Sequence, residues 1–304
     1  MQMYTGIALM AVGAMIAVLG FTNVVPNIGG PGVSLVFLGA LVLGLSFVKR
    51  PDPESVEEMP LFSRLLNIFL SPGEVFENIR YHPSFLGVLL IASIISGIYA
   101  YAFFERLTPE RITNYTVDKI AESGFVPDEQ VATVRAQTLE TNKNPVSRVG
   151  SAVSGFAGMS FLAAFMGLLF FVTALAMGGK INYLQALSVA AFSLFPVILI
   201  QKVMSLLILF LKDPIEIHPI IGQGSLFPDN LGILISSADN PVLYSFLTYV
   251  GLLGFYWLWL NATGLQKAGR RVSGAAGWTG AVIVWLLGLA ISVVSAVFFG
   301  NFLS

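Results

Sequence analysis

Residue types able to carry chemistry are few in this chain, and they are scattered. Lys202 lies beside Gln201, downstream of Pro196, within a long apolar stretch. An ionisable side chain at membrane depth is costly and so invites a functional reading. Two readings stay open. Either the helix ends near Gln201, the Lys202 ammonium snorkels to the interface and Met204–Leu211 lies flat, or Gln201 and Lys202 line a path in a helix broken at Pro196. Asp213, Glu216 and His218 carry donor types that suit a divalent cation, but Pro214 and Pro219 limit their convergence and no metal is expected there. Asn114-Tyr115-Thr116 has the pattern of a glycosylation acceptor. The chain has no cysteine and only two histidines, His82 and His218, which excludes disulfides, thiolate catalysis and Cys/His metal cages. There is no P-loop, HExxH, GxSxG or paired-carboxylate pattern. The expectation is therefore a non-enzymatic protein with no catalytic residue, cofactor or metal.

The elements that hold these residues are dictated by composition. Of 304 residues, 56% are hydrophobic and 11% charged, and the mean hydropathy is +0.80. Soluble domains carry about 25% charged residues, so water is not the natural solvent of this surface. A net charge of −1 offers no basic stripe for nucleic acid. A bilayer core about 30 Å thick needs about 20 apolar residues in a helix. Seven stretches qualify: Tyr4–Thr22, Gly32–Val48, Ser84–Phe104, Ser151–Met177, Tyr183–Leu211, Val242–Thr263 and Ala275–Phe299. The predicted fold class is an all-α integral membrane protein, a seven-transmembrane helical bundle whose main partner is the lipid bilayer. The first stretch lacks the positive flank of a cleaved signal and reads as an anchor joined to the second by the uncharged turn Asn23–Pro31, with Pro26 as a breaker.

Lys and Arg set the orientation. With the Lys49–Pro83 loop placed in the cytoplasm, that side receives Lys49, Arg50, Arg64, Arg80, Lys180, Lys267, Arg270 and Arg271. The other side receives Arg106, Arg111, Lys119, Arg135, Lys143, Arg148 and Lys212, mostly within one long loop whose charges weigh less. The short loops agree on a cytoplasmic N-terminus and an extracytoplasmic C-terminus, with Arg64 and Arg270 exposed inside and Glu122 and Asp229 outside. The acidic run Asp52, Glu54, Glu57, Glu58 reads as a solvated linker. Pro60–Asn78 reads as two short interfacial helices, the first with Leu61, Leu65, Ile68 and Phe69 on one face, the second capped by Ser71 with Pro72 at its first position. Thr108–Lys143 reads as a soluble helical hairpin turning at Gly124, and the Asp213–Asn240 loop as extracytoplasmic.

Small residues mark helix-packing faces. Gly6, Gly13 and Gly20 recur every seven residues on the first span, and Gly150, Ser154 and Gly158, with Ser151 and Gly155, form small-xxx-small patterns on the fourth. Such faces let helices approach closely in lipid, either within the bundle or between copies.

The run Leu65-Leu66-Asn67-Ile68-Phe69-Leu70-Ser71-Pro72-Gly73-Glu74-Val75-Phe76-Glu77, followed by His82-Pro83 and a span, resembles the start of the bacterial YIP domain, the domain of the Ypt/Rab-GTPase-interacting protein family. Ala190-Ala191-Phe192-Ser193-Leu194-Phe195-Pro196, Leu209-Phe210-Leu211-Lys212-Asp213-Pro214 and Gly254-Phe255-Tyr256-Trp257-Leu258-Trp259 leading to Gly269-Arg270-Arg271 are similar to that family in order and spacing. Ser71, Pro72, Glu74, Phe76 and Pro196 are the motif positions. The resemblance covers roughly Leu61–Phe299 and implies a five-span core with a cytosolic N-terminus. It departs from the eukaryotic members, credited with Rab GTPase binding partly through a long cytosolic N-terminal region, because two spans stand in its place. GTPase binding is therefore not an expectation for this chain. The expected organisation is a transmembrane hairpin at 1–48, a cytoplasmic linker with interfacial helices at 49–83, and a five-span core at 84–304 with an outer hairpin at 105–147. The expected role is a scaffold or partner-binding subunit in a bacterial inner membrane, in contact with other membrane proteins or with itself. The alternative is a permease using the fifth span around Pro196–Lys202.

Overall fold

Apolar runs bounded by Pro, Gly and Asn become helices throughout a computed structural model that describes residues 2–303 apart from 23, 26, 27, 50, 52–55 and 125. Pro26, Arg50, Asp52 and Glu54, named above, lie outside the described residues. In chain order the α-helices are α1 (Gln2–Phe21), α2 (Gly29–Leu45), α3 (Leu61–Leu70), α4 (Pro72–Tyr81), α5 (Leu86–Leu107), α6 (Pro109–Glu122), α7 (Asp128–Lys143), α8 (Pro145–Ala176), α9 (Tyr183–Leu211), α10 (Ile221–Gly224), α11 (Pro241–Leu247), α12 (Leu252–Ala268) and α13 (Gly274–Phe299). No strand forms among the described residues. Five helices, α1, α5, α8, α9 and α13, are long and apolar enough to cross a bilayer, while α2 and α12 have 17 residues each. The fold is an all-α membrane fold.

Packing divides the chain into two compact units, one of Met1–Ser93, Val149–Val197 and Tyr256–Trp285, the other of Ile94–Arg148, Ile198–Phe255 and Leu286–Ser304. In the first unit α1 and α2 form an antiparallel hairpin built on glycine. A Cβ on Gly6 would lie 2.7 Å from the backbone N of Leu43, one on Gly13 2.7 Å from that of Val36, and one on Gly20 2.1 Å from that of Gly29. Reciprocally, a Cβ on Gly32 would lie 2.2 Å from Ala17 N and one on Gly39 2.7 Å from Met10 N. Without a hydrophobic force between helices in lipid, this backbone approach is what dispersion and Cα–H···O contacts require. On α8, Gly150 sits against Pro31 and Ser154 accepts a 3.2 Å hydrogen bond from Ser34, whereas Gly155 and Gly158 face open space.

Four expectations meet a different structure. First, α9 runs unbroken through Pro196 to Leu211, so neither an end near Gln201 nor a break at Pro196 exists. Second, the stretch Val242–Thr263 is not one helix. Leu231 N donates to Val250 O (2.9 Å) and Leu252 N to Asp229 O (3.1 Å), drawing residues 249–251 out of helical geometry between α11 and α12. Gly251 permits this, since a Cβ there would lie 2.7 Å from Asp229 O. Third, Ser71 stands at the N-cap of α4 but its hydroxyl makes no capping bond. Fourth, Arg64, expected in solvent, is 1% exposed.

In the second unit Tyr99, Phe103, Leu107, Ile112, Leu209 and Ile217 form the buried core. The α6–α7 hairpin is seated on this unit by α6, which buries Ile112, Thr113 and Val117, while α7 buries none of its residues. Val131 and Val134 on α7 are only partly covered.

Candidate functional site

The first unit contains a cavity of about 890 Å³ lined by Lys49, Arg80, Lys180 and Arg270, by Tyr81, Asn182, Tyr183 and Gln185, and by an apolar wall that includes Leu168, Phe171 and Leu175. Local chain chemistry sets each cation in place. The C-terminus of α8 closes in a Schellman turn, with Gly179 N bonded to Ala174 O (2.9 Å) and Gly178 N to Leu175 O (3.0 Å). That turn requires the positive φ of +80° that Gly178 adopts. The chain then enters an antiparallel bridge in which Lys180 N donates to Arg270 O (2.7 Å) and Arg270 N to Lys180 O (2.6 Å). These two cations come from different loops and are held side by side by backbone.

The remaining ends are stitched to the same place. Asn182 Nδ2 donates to Lys49 O (2.5 Å) and Gln185 Nε2 to Arg80 O (2.6 Å). Arg80 Nη2 donates to Gly269 O (3.0 Å), and its Nε–H is buried without an acceptor. The wall is built on α8, where Leu168, Phe171 and Leu175 share one face. Tyr183 packs edge-on against Phe171 at 6.2 Å, and its hydroxyl donates to Ala164 O (2.9 Å).

A second cavity of about 820 Å³ in the same unit shares Pro51 and Tyr81 and is lined further by Leu38, Glu58, His82 and Ser84. Beside it lies a buried arginine node. Arg64 donates through Nη1 to Ser84 Oγ (2.6 Å) and His82 O (3.1 Å), and through Nη2 to Asn78 Oδ1 (2.7 Å). Glu58, mostly exposed, supplies the counter-charge at 3.5 Å. Burial pulls the Arg64 guanidinium below its ordinary pKa, partly offset by Glu58. Asn78 Nδ2 in turn holds Glu57 O (2.8 Å) and His82 Nε2 pairs with Val56 O (2.7 Å). The node ties the 56–59 segment, α3, α4 and the start of α5 together. Its signal was present in the sequence, because Arg64 falls in the stripe of Leu61, Leu65 and Ile68 and not opposite it.

Of the other residues singled out, Phe76 is fully buried and packs against Gly264, where a Cβ would lie 3.0 Å from its ring, while Glu74 is exposed. Pro72 opens α4. In the second unit Lys202 is half-buried. Its ammonium lies 4.6 Å from the centroid of Tyr99 and donates to Gly224 O, and Tyr99 donates its hydroxyl to Gly222 O. Gln201 is half-buried beside it. Asp213, Glu216 and His218 do not converge. Asp213 caps Ile215 N (2.9 Å). His218 Nδ1 accepts from Ile220 N and Ile221 N (3.1 Å each), so its proton sits on Nε2, which faces the Tyr115 hydroxyl at 2.9 Å. Arg111 donates to Pro214 O, Ile215 O (3.1 Å) and Ile217 O (2.9 Å), locking α6 to this loop.

Five membrane-length helices and no strand among the described residues define a polytopic integral membrane protein. The Yip1 domain family matches residues 66–296 of the 304, and the chain belongs to that family. The match begins inside α3, so α1 and α2 lie outside it. No curated protein and no solved structure matches the chain.

Proposed function

We propose that this Yip1-family protein is a non-catalytic membrane scaffold, a partner-binding subunit whose contacts are other membrane proteins or further copies of itself. The observation that carries this is the state of Lys202. It is the one charge away from the helix ends in the five membrane-length helices, and it is spent on a backbone carbonyl and an aromatic face. A solute path needs polar groups left facing it, usually in discontinuous helices, and α9 is continuous at Pro196. The reading adds α2 and α12 as crossings, for seven spans, with the linker 49–83 and the loops after α8 and α12 in the cytoplasm of a bacterial inner membrane. Support comes from α3, whose Phe62, Leu66 and Leu70 are exposed on one face opposite Arg64, Leu65 and Ile68, as in a helix lying on a lipid interface. The test is reconstitution. Proteoliposomes of wild type and of Lys202→Met should show the same background permeability to ions and small solutes, and mild-detergent purification should retain a stoichiometric membrane-protein partner or a homo-oligomer. A solute flux present in wild type and lost in Lys202→Met would replace the scaffold with a permease.

A further inference from the structure

We propose that the basic cavity of the first unit is a binding site for the phosphate headgroup of an anionic phospholipid, with an acyl chain laid along α8. Four cations, Lys49, Arg80, Lys180 and Arg270, line it, and no carboxylate does among the described residues. Elsewhere the chain supplies counter-charges: Lys119, Arg135, Lys143 and Arg148 each meet a carboxylate within 3.0 Å. At the cavity the ammonium groups of Lys49 and Lys180 have no hydrogen-bond or ion-pair partner among the described residues. Like charges gathered around one space repel, and a bound anion reverses the sign of that interaction.

The site is built in advance. Lys180 and Arg270 are fixed by their two backbone bonds of 2.7 and 2.6 Å, and Arg80 by its bond to Gly269 O. Binding therefore orders little beyond the ends of the lysine side chains. Arg80 lines the cavity, and guanidinium groups suit phosphate oxygens. The shared chemistry of all candidate ligands is phosphate. The wall selects among its sources: Leu168, Phe171 and Leu175 descend along a 32-residue helix of membrane length, and the Leu168 and Leu175 side chains are exposed. Inorganic phosphate has no use for that surface, whereas an acyl chain does. Tyr81 and Asn182 at the same cavity offer hydroxyl and amide groups to glycerol and ester oxygens.

The experiment follows the melting temperature of the full chain, purified in a neutral detergent, during titration with short-chain phosphatidylglycerol, short-chain phosphatidylcholine or inorganic phosphate. Ligand that binds only the folded state raises it by mass action. The expected result is a saturable rise with phosphatidylglycerol alone. Lys180→Gln and Lys49→Gln should each weaken the apparent affinity about tenfold, the size of one charge-assisted contact, while Lys212→Gln, an exposed lysine of the second unit, leaves it unchanged. Both test positions are exposed, and the Lys180 bridge is made by backbone, so the fold survives; should one variant fail to fold, the other carries the test. No rise with phosphatidylglycerol, an equal rise with phosphatidylcholine, an equal rise with inorganic phosphate, or an unchanged affinity in the glutamine variants would each overturn the proposal.

Discussion

Arg64 shows how much one side chain can organise. Its two terminal nitrogens reach four acceptors drawn from the 56–59 segment, α4 and the entry to α5. Removing it leaves Asn78 Oδ1 with the Met59 N–H (3.2 Å) as its donor and takes the guanidinium from the partly buried Ser84 Oγ and from His82 O, and a group left without its partner costs about 1–3 kcal/mol. Arg64→Met should therefore destabilise the protein by about 1–3 kcal/mol. Arg64→Lys should recover only part of that loss, since an ammonium keeps the charge but not the fork. Thermal unfolding in detergent measures both, and equal stability of Arg64→Met and wild type would remove the node from the account. The same residue marks a boundary of what the sequence could reveal. A charge in an apolar stripe was visible at Leu61, Arg64, Leu65 and Ile68. Its partners Asn78 and Ser84 were not, because they arrive through a turn whose geometry no local pattern encodes. The basic cavity was hidden for the same reason. Lys49, Arg80, Lys180 and Arg270 were legible as four charges near the ends of apolar stretches, but only the pairing of two distant loops brings them around one space.

Helices were the most legible level, because apolar length is a local property and a bilayer needs little else. The exceptions are non-local. The opening between α11 and α12 depends on residues 229–231 pairing with 250–252, and an apolar run alone cannot announce it. The glycine face of α1 was legible at Gly6, Gly13 and Gly20, yet its complement at Gly29, Gly32 and Gly39 emerged only when α2 was laid against it. This separates two substitutions that the sequence treats alike. Gly13→Leu would drive atoms into the backbone of α2 and should lower the melting temperature strongly, by the cost of overpacking, about 1–3 kcal/mol or more. Gly155→Leu enters open space and should leave the monomer's melting temperature close to wild type. Equal effects of the two would mean that the hairpin is not packed on glycine. The α6–α7 hairpin offers a titration. Hydrogen bonding from Lys143 holds the Glu110 carboxyl below the usual carboxylate range, helped by backbone donation. A depressed pKa contributes stability above the unfolded value, about 4.3, and loses it as pH falls through the folded one. Hydrogen exchange in α7, corrected for intrinsic rates, should therefore accelerate below that range. Glu110→Gln should abolish the pH dependence and keep the faster rate throughout.

At the scale of the whole molecule the open question is which ends of the helices share a compartment, and charge arrangement argues for one answer. Loops of the first unit carry Lys49, Arg80, Lys180, Lys267, Arg270 and Arg271 close to the ends of helices, where Lys and Arg govern insertion. Most cations of the second unit belong to a folded hairpin and are held there by Glu105, Glu110, Asp118 and Glu122. Seven crossings require that α2 and α12, at 17 residues each, both span, and of the two only α12 decides whether Lys267, Arg270 and Arg271 fall on the side of Lys49, Arg80 and Lys180. At about 1.5 Å per residue both helices fall at the short end of the workable range of about 17–25 residues. The chain has no cysteine, so single-cysteine labelling in intact cells reads the arrangement directly. Glu57 and Glu122 are exposed, and an impermeant thiol reagent should label Glu122→Cys before permeabilisation and Glu57→Cys only after it. Arg64→Cys is a control of a different kind: buried in the wild-type fold, it should stay unreactive under both conditions until the protein is denatured. Labelling of positions 57 and 122 from the same side would mean that α5, the one membrane-length helix between them, returns without crossing. The seven-span arrangement, and with it a cytoplasmic setting for the basic cavity, would then fall.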